Sequence, residues 1–274
     1  MRETLIIEKK DGTKLEINEI KGAHLISVDD QGPQPVTEYT QLVGVDGQRD
    51  NGTTFGLRVI QATFLFDGID RWDYTLATRE IWSKLFDYDA YYITWTRMPG
   101  IRYLVHCRPF QFTKVSYGAG SFTVEFEAPR GFGESIGRTD LDPINMQSDK
   151  YQMIGQGFPI NEDLIYTHKE NSFRIFNAGS IRINPRFQFL LIRLKGTGSP
   201  TLTNRTTGEV FKYNQTLGDS EELIIEGVYP KLNGVNCGRD TNHGLISLAP
   251  GWNDMDLTGL NNPESTFGFY FLYK

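Results

Sequence analysis

Cysteine and histidine are scarce in this chain. Two cysteines, Cys107 and Cys237, stand far apart among 274 residues with no C-x-x-C spacing, so the sequence offers no disulfide framework and no thiolate metal site. Both are expected as reduced, buried thiols. The four histidines, His24, His106, His168 and His243, are scattered without an H-x-H or H-E-x-x-H pattern. His106 adjoins Cys107, but successive strand residues face opposite ways and cannot share one ion. No G-x-S-x-G elbow, Walker sequence or strand-borne G-x-G-x-x-G occurs, which removes the usual hydrolase and nucleotide readings. Basic runs are also missing, and the formal charge is −6. A broad phosphate-gripping face is thereby excluded. No stretch approaches 18 apolar residues, and "MRETLIIEKKDG" meets charge too early for a signal peptide. A soluble protein made in the cytoplasm, without metal or cofactor, is the expectation. The Asn-x-Thr triplets at Asn51, Asn204 and Asn214 carry no weight without an export signal.

What the chain does have is aromatics (13%), 28 glycines and 12 prolines, a balance that favours short strands and turns. "TLIIEKKDGTKLEI" is two alternating runs joined at Asp11-Gly12, a strong hairpin signal. "AHLISVD" continues as a strand. Asp29 to Gly56 then turns polar and turn-rich, and is expected to be an extended arm or long loop, a length that inside a compact domain marks an interaction element or a mobile one. After the strand "LRVIQATFLF", the positions Tyr74, Ala77, Ile81, Leu85 and Tyr88 recur at helical spacing and predict one helix, with Asp73 near its start. Strands follow through "SFTVEFEAP", where Phe122, Val124 and Phe126 alternate with Thr123, Glu125 and Glu127. From 136 to 157 periodicity is lost. The expected organisation is a β-rich domain over 1–135, a linker over 136–157, and an all-β sandwich over 158–274 whose strands are separated by turns every 8 to 12 residues.

Few residues suggest chemistry. Glu125 and Glu127 share one strand face and could form a glycosidase pair, but they also alternate with apolar residues as a solvated face does. Asp67, Asp70 and Asp73 surround a turn and a helix start, the ordinary place for caps, and are too sparse for a calcium loop. Trp252 and Asn253, in "SLAPGWNDMDLTG" (Ser247 to Gly259), form a candidate contact for a partner or a glycan. Beside that stands the reading of a hairpin corner set by Pro250-Gly251.

The ordered set of segments resembles the distal tail protein (Dit) family of long-tailed, non-contractile phages. In the first domain the resemblance rests on "TLIIEKKDGTKLEI", "LRVIQATFLFDG", "YYITWTRMPGIRYLVHC" and "SFTVEFEAPRGFGES". In the second it rests on "FRIFNAGSIRINPRFQF", "LTNRTTGEVF" and "LAPGWNDMDLTG". The resemblance implies a mainly β fold, with an N-terminal β-rich ring-forming domain carrying one helix and a C-terminal galectin-like or carbohydrate-module-like sandwich. It implies a structural hub of the tail tip or baseplate in the virion, not an enzyme: a homo-hexameric ring around the DNA channel. Its partners would be the tail tube protein, the tape-measure protein, the tail-tip or tail-associated lysin protein and a receptor-binding protein, with DNA passing through unbound. A carbohydrate-binding accessory protein for host-surface glycans and a cell-wall glycosidase are the alternatives. The long arm, Asp29 to Gly56, is expected to bridge neighbouring subunits.

Overall fold

The computed structural model describes residues 3–20, 22–145, 149–153, 155–159 and 162–274. The chain divides into two compact units, one formed by Met1–Gly133 with Lys274 and one by Glu134–Tyr273.

The first unit holds β1 (Leu5–Glu8), β2 (Lys14–Glu16), β3 (Ala23–Asp30), β4 (Pro35–Gln41), β5 (Gln48–Phe55), β6 (Arg58–Asp67), α1 (Arg71–Leu85), β7 (Tyr91–Trp95), β8 (Ile101–Cys107), β9 (Phe112–Lys114) and β10 (Ala119–Ala128). Its strands are ordered β2-β1-β7-β8-β10-β6-β3, with β9 added to β10 and every pair antiparallel. The alternation read from the sequence sets which side is dry. Ile60, Ala62, Phe64 and Phe66 of β6 are buried, as are Phe122, Val124 and Phe126 of β10, and Phe64 stacks on Phe122 at 5.0 Å between centroids. The Asp11-Gly12 hairpin forms as expected, joining β1 and β2.

Helix α1 begins at Asp70, whose carboxylate accepts from the amides of Trp72 and Asp73 at 2.7 and 2.9 Å. Ala77, Ile81 and Leu85 are buried, the two larger side chains contributing about 1.5–3 kcal/mol each when fully covered. Tyr88, expected on the same face, lies beyond the helix end and is fully exposed. The Tyr91 hydroxyl donates to the carbonyl of Leu85 at 2.7 Å, so β7 closes the helix terminus.

The second unit contains β11 (Gly133–Ser135, from its second residue), β12 (Thr167–His168), β13 (Ser172–Asn177), β14 (Leu190–Asn204), β15 (Glu209–Lys212), β16 (Glu222–Glu226), β17 (Tyr229–Leu232), β18 (Val235–Asn236), β19 (Gly251–Phe269) and β20 (Leu272–Tyr273). Its main sheet runs β12-β19-β14-β16-β17-β18, with β13 on β19 and β15 on β14. Several turns expected from the sequence are absent. "TGSP" and "TGLNNPES" lie inside β14 and β19, 15 and 19 residues long, as register shifts between Lys195 and Thr197 and between Gly198 and Thr201. Glycine is required at this crossing: a Cβ on Gly198 would sit 2.2 Å from the carbonyl oxygen of Gly259.

Residues 136–157, read as a linker, fall within the second unit. The amide of Ser135 donates to Phe271 at 2.8 Å, the Thr139 hydroxyl donates to the Phe267 carbonyl at 2.8 Å, and the amide of Phe269 returns to that hydroxyl at 3.0 Å. Tyr151 is buried against Phe271. Thr139 thus ties this segment to the chain's last strands, some 130 residues away in sequence, a pairing that leaves no local periodicity.

Candidate assembly surfaces

The arm expected between Asp29 and Gly56 is a β-hairpin rather than a loop. Among the described residues its strands β4 and β5 pair only with each other, from Pro35 opposite Phe55 to Gln41 opposite Gln48, with an irregularity between Thr37 and Tyr39. Two cross-strand contacts reinforce it, the hydroxyls of Thr37 and Thr53 lying 2.8 Å apart and Asn51 donating to the Thr40 hydroxyl, while within β5 the amide of Gly52 donates to the Asp50 carboxylate at 2.8 Å. Every residue of β5 is exposed, as are all of β4 but Thr37. Tyr39, Leu42 and Val45 are about half exposed, and Val43 at the turn is fully so. An isolated two-stranded hairpin is marginal in water, and two unpaired edges beside apolar side chains invite another chain.

The base of the hairpin is fixed by a side-chain cluster. Asp30 ends β3 and Arg58 opens β6, and the two meet as a fork: Arg58 Nε and Nη2 donate to the two carboxylate oxygens of Asp30, both at 2.7 Å. The Arg58 side chain is 6% exposed and that of Asp30 20%. The Tyr103 hydroxyl donates to Asp30 at 3.2 Å, and the guanidinium lies 5.2 Å from the Tyr103 ring centroid. Burial, then the Asp30 charge, pushes the Tyr103 phenol well above its ordinary range. The amide of Gly56 bonds the carbonyl of Gln34 at 2.8 Å and completes the closure. Sequence reasoning missed this clamp, since an aspartate and an arginine 28 positions apart carry no local signal.

A second exposed apolar surface lies on α1. Ile69, Trp72 and Leu76 are 79%, 77% and 67% exposed, so the helix carries an outward apolar strip besides its core face.

The acidic candidates resolve into structural roles. Arg108 bonds Glu125 through Nη1 at 2.8 Å and Glu127 through Nε, and Gln61 donates to Glu125 at 2.9 Å. Arg108, then Gln61, holds the Glu125 carboxyl below its ordinary range, so it stays ionised and has no proton to donate at neutral pH. Asp70 caps α1, and Asp73 accepts from the amide of Ile69. Among the described residues no group of three His, Cys, Asp or Glu side chains could hold a metal ion. Both cysteines are free; Cys237 is buried but Cys107 only half so, a departure from the expectation that both would be buried. Burial raises the Cys107 thiol to about 12.

The Trp252–Asn253 corner turns inward. Asn253 is fully buried, so it cannot touch a partner or a glycan. Its carboxamide oxygen accepts from the amide of Ala249 at 2.8 Å and from Asn204 Nδ2 at 3.1 Å, and its Nδ2 donates to the carbonyls of Ala249 and Gly251 at 2.8 and 3.1 Å. A short polar side chain next to Pro-Gly laces the turn that precedes it. Asn204, equally buried, donates to the carbonyl of Ser247 at 2.8 Å. Glu209 joins the same corner, accepting from the amide and hydroxyl of Ser247 at 2.6 Å each and from Arg182 at 2.9 Å. Trp252 is half-buried, with the Phe176 ring at 4.9 Å and the Arg174 guanidinium 4.3 Å from its centroid. One contact surface of the indole is thus already taken.

Comparison with known proteins agrees with this architecture. Residues 10–128 match the family model of the phage tail protein RIFT-related domain. The crystal structure of SPP1 Dit (gp 19.1) superposes with a TM-score of 0.69 at 13% identity, covering 99% of this chain and 100% of that one. That protein is described as a paradigm of the hub adsorption apparatus in phages infecting Gram-positive hosts. A chain of the phage P2 baseplate, in its activated conformation with calcium, aligns at a TM-score of 0.42 and 9% identity over 98% of each. No curated protein sequence matches the chain. The mainly β fold class and the resemblance to the distal tail protein family are both borne out.

Proposed function

We propose that this chain is a structural hub of a phage tail tip or baseplate, acting by assembly rather than catalysis, and that six copies close a ring around the DNA channel. The observation that carries the reading is the β4–β5 hairpin, in which every strand residue but Thr37 is exposed and which is anchored at its base by the Asp30–Arg58 fork. Laid across the next subunit, such an element would pair its open edges and cover its apolar turn, and ring closure follows when each copy does the same. In the virion the hub would join the tail tube and tape-measure proteins to the tail-tip or tail-associated lysin protein and a receptor-binding protein.

The test is deletion of residues 35–55 across a Gly-Gly joint, with mass measured by light scattering. The intact chain is expected as a hexamer and the shortened one as a monomer; a hexamer in both would sink the proposal. A neutral or acidic channel wall also belongs to this reading, because basic walls would hold phosphates instead of letting them slide. The face bearing Gln61, Thr63, Thr123 and Glu125 supports it, since its neighbouring cation Arg108 is committed to two glutamates. Trp252 keeps a place as a partner contact through its uncovered surface. Trp252→Ala is expected to leave the ring intact and weaken capture of the tail-tip protein.

A further inference from the structure

The second unit holds a groove of about 610 Å³ that the assembly reading does not use. Its floor is apolar, with Phe211 from β15 and Ile225 from β16, and its wall includes Tyr229 and Pro230 of β17. Tyr229 is 64% exposed and offers an open ring, unlike Trp252, whose ring already meets a guanidinium. The polar part of the lining includes Arg186, Asn236, His243 and Thr241, the last with its hydroxyl spent on the Gly238 carbonyl and the His243 amide. Among the described residues, the side chains of Arg186, Asn236 and His243 and the Tyr229 hydroxyl make no hydrogen bond or ion pair. Arg186 is left without a carboxylate, as are Arg49, Arg79 and Arg239 among the described residues, whereas the arginines at 58, 97, 108, 138, 174, 182, 193 and 205 meet one. Of the four without one, Arg186 is the one that lines the groove.

The rim is built rather than loose. His243 sits at φ 56°, in the left-handed region that a non-glycine residue enters only when its surroundings hold it there. Asn242 holds it there, accepting from the amides of Lys212 and Gly244 at 2.9 and 3.0 Å and donating to the carbonyl of Val210 at 3.0 Å. Gly244 passes so close to β15 that a Cβ would lie 1.9 Å from the Val210 oxygen. The backbone that carries His243 is therefore fixed at the groove edge.

The charge of the groove selects its ligand. No aspartate or glutamate lines it, although the chain carries 34 acidic residues against 28 basic ones. An open tyrosine ring and proline suit the C–H face of a pyranose, an amide and an imidazole suit its hydroxyls, and a free guanidinium suits a carboxylate or phosphate in a forked pair. We propose that this groove binds a sugar ring bearing an anionic substituent, either a uronate or a sugar phosphate, with Tyr229 under the ring and Arg186 on the anion.

The test uses the full-length assembled protein and four probes, glucose 1-phosphate, methyl glucuronide, glucose and inorganic phosphate, read by saturation-transfer NMR and calorimetric titration. At least one of the two anionic sugars is expected to bind, the tighter naming the anion, with glucose and phosphate each weaker by about tenfold or more. Arg186→Gln should abolish the preference over glucose, Arg186→Lys should keep part of it, and Tyr229→Ala should abolish sugar binding. Both side chains are exposed, and melting temperatures unchanged from the parent protein would show that the variants fold. No binding of either anionic sugar, binding indifferent to both substitutions, or phosphate alone binding as tightly would each overturn the proposal.

Discussion

The β4–β5 hairpin and the turn at 249–253 both reverse the chain at glycine, yet they dispose of their polar groups in opposite directions. In the turn, Asn253 spends both ends of its carboxamide on its own chain and disappears from the surface. In the hairpin the strands pair with each other alone among the described residues, and the turn leaves Leu42 and Val45 half exposed and Val43 fully so. Turn chemistry marks where a chain changes direction. Whether its hydrogen-bonding capacity is consumed internally or left for a partner is decided by what lies opposite, and that is a property of the fold.

The sharpest way to break the contrast is at the hairpin base. Asp30→Ala strands the buried Arg58 charge and should cost about 3 kcal/mol, seen as a lower denaturant midpoint for the first unit. At the corner, Asn253→Ala leaves the amide and carbonyl of Ala249 unsatisfied and should cost about 2 kcal/mol in the second unit. A smaller effect comes from Glu209. Burial raises its carboxyl, but Ser247, Thr207 and Arg182 outweigh that and hold it below its ordinary value. The stability it adds is present above about pH 4.5 and lost as pH falls through the lowered value in the folded protein, amounting to about 1 kcal/mol or less given its exposure. Glu209→Gln should flatten that part of the acid-unfolding curve. Smallest of all for folding is serine at Leu42, Val43 and Val45 together, expected within about 0.5 kcal/mol by thermal melting of the monomer. The same triple change should lower the assembled mass, and it separates a surface kept for a partner from one consumed internally.

Much of the fold was legible in the sequence. The β1–β2 hairpin followed from Asp11-Gly12, the core of β6 and β10 from alternation, and α1 from Ala77, Ile81 and Leu85, because each signal is local. The long strands β14 and β19 were not legible, since a glycine that permits a bulge inside a strand has the same spelling as one that ends it. The role of 136–157 was hidden because its partners are at the other end of the chain. For the surfaces, the arm was visible from polarity and length, but its pairing was not. Asn253 and Trp252 drew notice as a pair, and only the geometry separates a buried brace from a half-covered ring. The groove at Tyr229 had no sequence signal, its walls coming from β15, β16, β17 and the 241–244 loop.

The clamp at Asp30 and Arg58 also has a mechanical meaning. Seven strand residues at about 3.4 Å each carry the hairpin turn roughly 24 Å from that pair. A sideways pull on the turn acts through the whole of that lever arm, and the torque arrives at a base held by the Asp30–Arg58 fork, the Tyr103 hydroxyl and the Gly56–Gln34 bond. The rungs of the hairpin share the same load among many bonds. The joint should yield before the ladder shears, and a pull applied through a handle at Val43 should meet its first yield at a lower force once Asp30 is replaced by alanine.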